Sequence, residues 1–143
     1  MKTWKIIVSG ILFAIISQII HTIESFATMN FYMDSAYFGV WSKIMMPTAG
    51  PPPAEFYYYS IVFAVITGII YAIVYEMIKK SLPAKTLTKQ GLYFGLLLFL
   101  LSIPFSLTMY LLINLPTLLL VYWSVSGLVI YLIGGIVIAR IMK

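Results

Sequence analysis

The chain has 143 residues, of which 62% are hydrophobic and 9% charged. A soluble domain carries about 25% charged residues, and a chain this short has no interior large enough to hide so much apolar surface, so lipid is part of its solvent. It has no cysteine, which excludes disulfide frameworks, thiolate metal sites and cysteine nucleophiles; its net charge of +5 raises nucleic acid as a partner, a reading that the placement of the charges removes.

The first apolar segment, about residues 6–24, is close to the roughly 20 residues that one membrane crossing takes. It carries a stripe of small or polar residues at three- and four-residue spacing: Gly10, Ala14, Ser17, His21, Glu24 and Thr28, with Gln18 alongside. The segment has a second reading. Lys2 and Lys5, an apolar run and Ser25-Phe26-Ala27 have the layout of a signal peptide, and cleavage after Ala27 would leave three helices. The polar stripe favours a packed helix that is kept.

A long connection follows, residues 25–58. Phe26, Phe31, Tyr32, Tyr37, Phe38 and Trp41 make it too apolar for disorder. Asp34 or Ser35 is placed to cap a short helix running to about Met46, with Tyr37, Val40, Trp41 and Ile44 on one face, the pattern of a helix lying in a membrane interface. Pro47 stops it, and Gly50-Pro51-Pro52-Pro53 predicts an extended strut.

The second helix is expected over 59–78, with the ladder Ser60, Ala64, Gly68 and Ala72 on one face. An uncharged stretch from Gly91 to Ala139 is long enough for two crossings. Asparagine and proline place its turn near Asn114-Leu115-Pro116, giving helices over 92–113 and 117–139, the third kinked at Pro104. Their small-residue stripes hold Gly91, Gly95, Ser102, Ser106, Tyr110 and Asn114, then Thr117, Ser124, Gly127, Tyr131, Gly134 and Gly135. Small residues let helix backbones approach in lipid. The expected fold is an all-α, four-helix transmembrane bundle forming one domain, with consecutive helices as neighbours.

Charge predicts orientation. Of nine cations, Lys2, Lys5, Lys79, Lys80, Lys85, Lys89, Arg140 and Lys143 fall on one side of such a bundle, and only Lys43 on the other. The positive-inside rule makes the first side cytoplasmic, with both termini there and the long loop outside. The basic balance thus follows topology, not a nucleic-acid footprint. Trp4, Tyr71, Tyr75 and Tyr93 near one boundary, and Tyr57, Tyr58, Tyr59 and Tyr110 near the other, are read as interfacial anchors.

Ionisable residues at membrane depth raise a functional hypothesis. Gln18, His21 and Glu24 face one way on the first helix, and Ser60, Tyr110, Asn114 and Ser124 stand at similar depth on the others. Together they predict an outward-facing polar cavity, with Asp34, Trp41 and Glu55 on its rim. The plainer reading leaves Glu24 in water at the helix end. One histidine with scattered carboxylates lacks the spacing of a zinc site. No cofactor motif and no nucleophile–base pair is present, so an enzyme is not expected. The first expectation is a non-enzymatic binding, accessory or assembly component of the cell (inner or plasma) membrane, in contact with lipid and with a membrane-protein partner or a second copy. The second is a transporter-like, ligand- or lipid-binding bundle that uses the cavity around His21 and Glu24.

Overall fold

The computed structural model describes residues 3–48 and 50–143; Lys2, one of the eight cations assigned to the cytoplasmic side, lies outside them. All regular structure among the described residues is helical. Helix α1 spans Thr3–Met33, α2 Ala54–Ile78, α3 Leu87–Leu112 and α4 Thr117–Ile141. Each is long and apolar enough to cross a membrane, and the chain is a multi-pass membrane protein.

The helix ends differ from the hydropathy boundaries, most of all in α1. Its 31 residues extend to about 46 Å at 1.5 Å each, well beyond a hydrocarbon core of about 30 Å. Polar residues from Glu24 onward mark a fall in hydropathy, but they do not end the helix. Thr28 is fully buried and its hydroxyl donates to the Glu24 carbonyl, and Phe31 and Tyr32 pack against the start of α4. Tertiary contacts at Thr28, Phe31 and Tyr32 support α1 over its last nine residues. Helix α2 starts directly after Pro53, where proline suits a helix entry. Helix α3 starts at Leu87 because the Thr86 hydroxyl caps it, accepting from the Lys89 amide at 3.4 Å. It continues through Pro104 to Leu112.

In the long connection, Asp34 accepts from the Ala36 amide and opens a six-residue 3₁₀ turn, Ser35–Val40. An α-helix to about Met46 was expected there. Gly39 and the approach of Val40 and Trp41 to α4 end the turn early: both side chains dock on Leu115, Leu119 and Leu120. The segment is therefore anchored to the bundle at its first half.

Helices α1 and α4 lie at the centre, α2 packs on α1, and α3 packs on α4. Consecutive helices are neighbours within each hairpin, but α2 and α3 meet chiefly through side chains. The rings of Tyr75 and Phe94 stand edge to face at 5.2 Å, and the Tyr75 hydroxyl donates to Gln90 Oε1 at 3.1 Å. Tyr75 is thus a wholly buried core residue, not an interfacial anchor; Trp4 and Tyr93 are exposed. Tyr71 packs on Phe13 and Tyr131. Ser102 donates to its own helix, and the Ser9 hydroxyl is buried with no partner among the described residues. Both termini sit at one end of the bundle, where Lys5 Nζ donates to the Lys143 carbonyl and Lys79 Nζ to that of Met142. The connection 34–53 occupies the opposite, loop end.

Glycine sets both hairpins. A Cβ on Gly68 of α2 would fall 2.9 Å from the Gly10 Cα of α1. A Cβ on Gly91 or Gly95 would overlap the α4 backbone at Ile136 and Tyr131 respectively. Gly134 makes room for the Phe13 ring, and Ala72 is wholly buried. Ser60 and Ala64 are half-buried. Gly127 differs, because a Cβ there would meet only a Tyr131 ring carbon at 3.8 Å. Overpacking a tight site typically costs about 1–3 kcal/mol. Gly95→Leu should therefore destabilise the bundle by roughly 2 kcal/mol or more, and Gly127→Ala should leave stability unchanged or raise it by up to about 1 kcal/mol through helix propensity, both measured by denaturant unfolding in mixed micelles. Equal effects would show that the glycine crossings do not set the packing.

Candidate functional site

At the loop end the side chains of α1, α2 and α4 gather around Glu24. The three-residue spacing of Gln18, His21 and Glu24 keeps them on neighbouring strips of α1. His21 Nδ1 lies 3.1 Å from Glu24 Oε2, and the Ser126 hydroxyl of α4 donates to the same oxygen at 3.0 Å. Gln18 Nε2 donates to Ser60 Oγ of α2 at 3.4 Å, while that hydroxyl donates to the Tyr57 carbonyl. Beyond the cluster, Trp123 Nε1 donates to the Tyr32 hydroxyl at 3.0 Å and ties α4 to the upper turns of α1.

Burial separates the partners. The Glu24 side chain is 7% exposed and that of His21 is 52% exposed. Glu24 is therefore not a solvated residue at a helix end. It lies inside an unbroken helix, against Ser126, which follows Thr117 by nine residues. At 1.5 Å per residue that is about 14 Å below the start of α4. If Nδ1 of a neutral His21 carries the proton it donates, Nε2 is left as an acceptor.

The cluster forms the base of a chamber of about 420 Å³. Gln18, His21, Glu24 and Ser60 all line it. Its walls are Met29 and Met33 of α1, Phe56 and Tyr57 of α2, Trp123 of α4, and Met45, Met46, Pro51 and Pro52 of the connection. The chamber arises from a step in helix height. Gln18 contacts Ser60, and the two helices run antiparallel. Six residues from that contact reach Glu24 on α1 and Ala54, the first residue of α2. Helix α1 continues for nine residues above that level, and the connection fills the space over the shorter α2.

The other sequence-predicted residues fall elsewhere. Tyr110 and Ser124 line a shallower groove of about 290 Å³ between α3 and α4, among leucines and valines. The Ser124 hydroxyl donates back to the Leu120 carbonyl. Asn114 sits exposed in the α3–α4 turn. Asp34 and Glu55 are exposed and line neither space; Glu55 stands in the first turn of α2, where a carboxylate complements the helix dipole. Trp41 packs its ring on Tyr32 at 5.0 Å, outside the chamber, with its indole N–H buried and unpartnered among the described residues. Methionines and prolines take the place of the predicted rim.

Ser126 is the residue that sequence reasoning missed. Ser124 and Ser126 are about 200° apart on a helix, so only one faces α1. A signal was present: counting back in fours from Gly134 gives Ile130 and Ser126, and Ile138 lies on the same line, all of them buried. Among the described residues no three histidine, aspartate or glutamate side chains gather as a metal site would require. No family model matches the sequence, and no curated protein or solved structure matches it either.

The two serines supply a test of this geometry. A hydrogen bond to a buried charged group contributes more than the usual 0.5–1.5 kcal/mol, and losing it strands the acceptor. Ser126→Ala should lower unfolding stability by about 1 kcal/mol or more, whereas Ser124→Ala should leave it unchanged within about 0.5 kcal/mol. The reverse order would place Glu24 against the wrong face of α4.

Proposed function

We propose that this chain is a ligand-binding membrane protein whose termini face the cytoplasm and whose chamber opens on the opposite side. The observation that carries the reading is the chamber itself: a buried carboxylate held by His21 and Ser126, beside a wall of methionine and aromatic side chains. A few polar groups fixed on helices and surrounded by apolar walls are the usual make-up of a small-molecule site, and about 420 Å³ lies within the usual 300–1,000 Å³ range. An accessory or assembly component, the plainer expectation, needs no such chamber. Binding is favoured over catalysis because the lining offers acceptors and donors that orient a ligand.

Orientation rests on the seven described cations at the terminal end, Lys5, Lys79, Lys80, Lys85, Lys89, Arg140 and Lys143, against Lys43 at the loop end. The loop end is then extracytoplasmic, and the half-exposed His21 stands on the route into the chamber. The 3₁₀ turn, docked on α4, holds the first half of the connection, and the proline strut leads its second half back to α2. This leaves Met45 and Met46 between two anchored segments, as the roof.

The natural absence of cysteine makes the reading directly testable. Single cysteines at Met46, Ser60 and Lys85 would be treated with a membrane-impermeant maleimide in intact cells and after permeabilisation. M46C and S60C should label in intact cells, S60C more slowly, and K85C only after permeabilisation. Labelling of K85C in intact cells reverses the orientation, and an S60C that stays unreactive under both conditions removes the chamber.

A further inference from the structure

We infer that the ligand of this chamber is a monovalent organic cation, an ammonium carried on an apolar body. The inference rests on the outward chamber proposed above and names its ligand class. Among the described residues, Glu24 is the only carboxylate lining the chamber, and no lysine or arginine lines it. Both hydrogen bonds made by its carboxylate fall on Oε2. Oε1 has no partner among the described residues, and it is not sealed from the chamber as a buried orphan atom.

A carboxylate at this depth is costly unless its charge is met. Ser126 meets it with a neutral hydroxyl. His21 meets it with a ring that is half-exposed and, when neutral, brings no charge. A cation at Oε1 supplies the missing half of the pair. An anion would face the Glu24 carboxylate with no lysine or arginine among the described lining residues to oppose it, and is disfavoured by repulsion and desolvation together.

The walls describe the rest of the ligand. Four of the chain's eight methionines, Met29, Met33, Met45 and Met46, line this one space. Thioethers are polarizable and unbranched, and they adapt to differently shaped apolar bodies. The rings of Phe56 and Tyr57 in the lining suit a cation carried on a carbon body. A bare hard cation wants six or more oxygen ligands, and would leave these walls unused. An ammonium with an aromatic or branched body uses the carboxylate and the walls at once.

The test compares three probes of one size on the full chain in phosphatidylcholine nanodiscs at neutral pH, by calorimetry against empty discs. They are 2-phenylethylammonium, 2-phenylethanol and phenylacetate. The ammonium should bind at least ten-fold tighter than the alcohol, and phenylacetate should not bind. Glu24→Gln should bring the ammonium down to the affinity of the alcohol, with the alcohol itself unchanged. Ser60→Lys, which places a resident cation in the chamber, should abolish ammonium binding in the same way and covers the case in which Glu24→Gln does not fold. Equal binding of ammonium and alcohol, tighter binding of phenylacetate, or ammonium binding that survives in a folded Glu24→Gln or Ser60→Lys variant overturns the inference. So does the absence of binding by all three probes. If S60C then labels from outside, the chamber stands without its cation; if S60C does not label, both readings fall together.

Discussion

Helices in lipid are not driven together by the hydrophobic effect, so their arrangement depends on where backbones can touch. In this chain those places are six glycines, all in the half of the bundle that carries the termini. Gly10 against Gly68 joins α1 to α2, Gly91 and Gly95 against Gly135 join α3 to α4, and Gly134 receives Phe13 to join the two hairpins. The main core, with Phe13, Tyr75, Phe94 and Ile138, lies on the same half. Toward the loop end the small residues are serines and the loosely packed Gly127. Helices that cross closely at glycines in one half and meet through larger side chains in the other leave space in the second half. Both cavities lie there, and the position of the site follows from the position of the glycines.

Within that open half, Glu24 performs the task that glycine performs in the other. It links α1 to α4 through Ser126 by hydrogen bonding instead of close packing. The difference matters energetically. A glycine contact is indifferent to charge, whereas a buried carboxylate imposes a desolvation cost that only donors or a cation offset. Two hydrophobic side chains of similar volume would hold α1 and α4 together with no such cost. A buried carboxylate where packing alone would serve supports the binding role proposed for this position.

Hydropathy made the four helices and the α3–α4 turn legible, because apolar length and the Asn114-Leu115-Pro116 punctuation are local properties. It misplaced the end of α1 because it reports preference for lipid, and the last turns of α1 are held by protein contacts at Thr28, Phe31 and Tyr32. The stripe of α1 pointed to Gln18, His21 and Glu24, three residues whose spacing alone puts them on one side of a helix. The partners on the other helices were legible only in part. Ser60 lies on a ladder with one clear face, but the choice between Ser124 and Ser126 depends on the rotation of α4, and that rotation is set by Phe13 entering at Gly134. Nothing local distinguishes Asp34, Trp41 and Glu55 from rim residues; they are turned aside by the docking of Val40 and Trp41 on α4 and by the entry of α2 at Ala54.

The connection 34–53 draws these points together. A chamber formed between helices of equal height would have helical walls all round and a selectivity fixed by helix packing. Here α2 begins at the level of Glu24 while α1 and α4 continue above it, so one wall and the roof are irregular chain. Irregular backbone at such a place is tolerated where it is buried in protein or borders a cavity. The connection meets that condition by docking at Val40 and Trp41 on one side and by its proline strut on the other. The floor carries the carboxylate and the roof carries thioethers. Under the binding role proposed above, that construction would fix the position of a charge closely and the shape around it loosely, the division of labour that recognition of a class of molecules, more than of one molecule, requires.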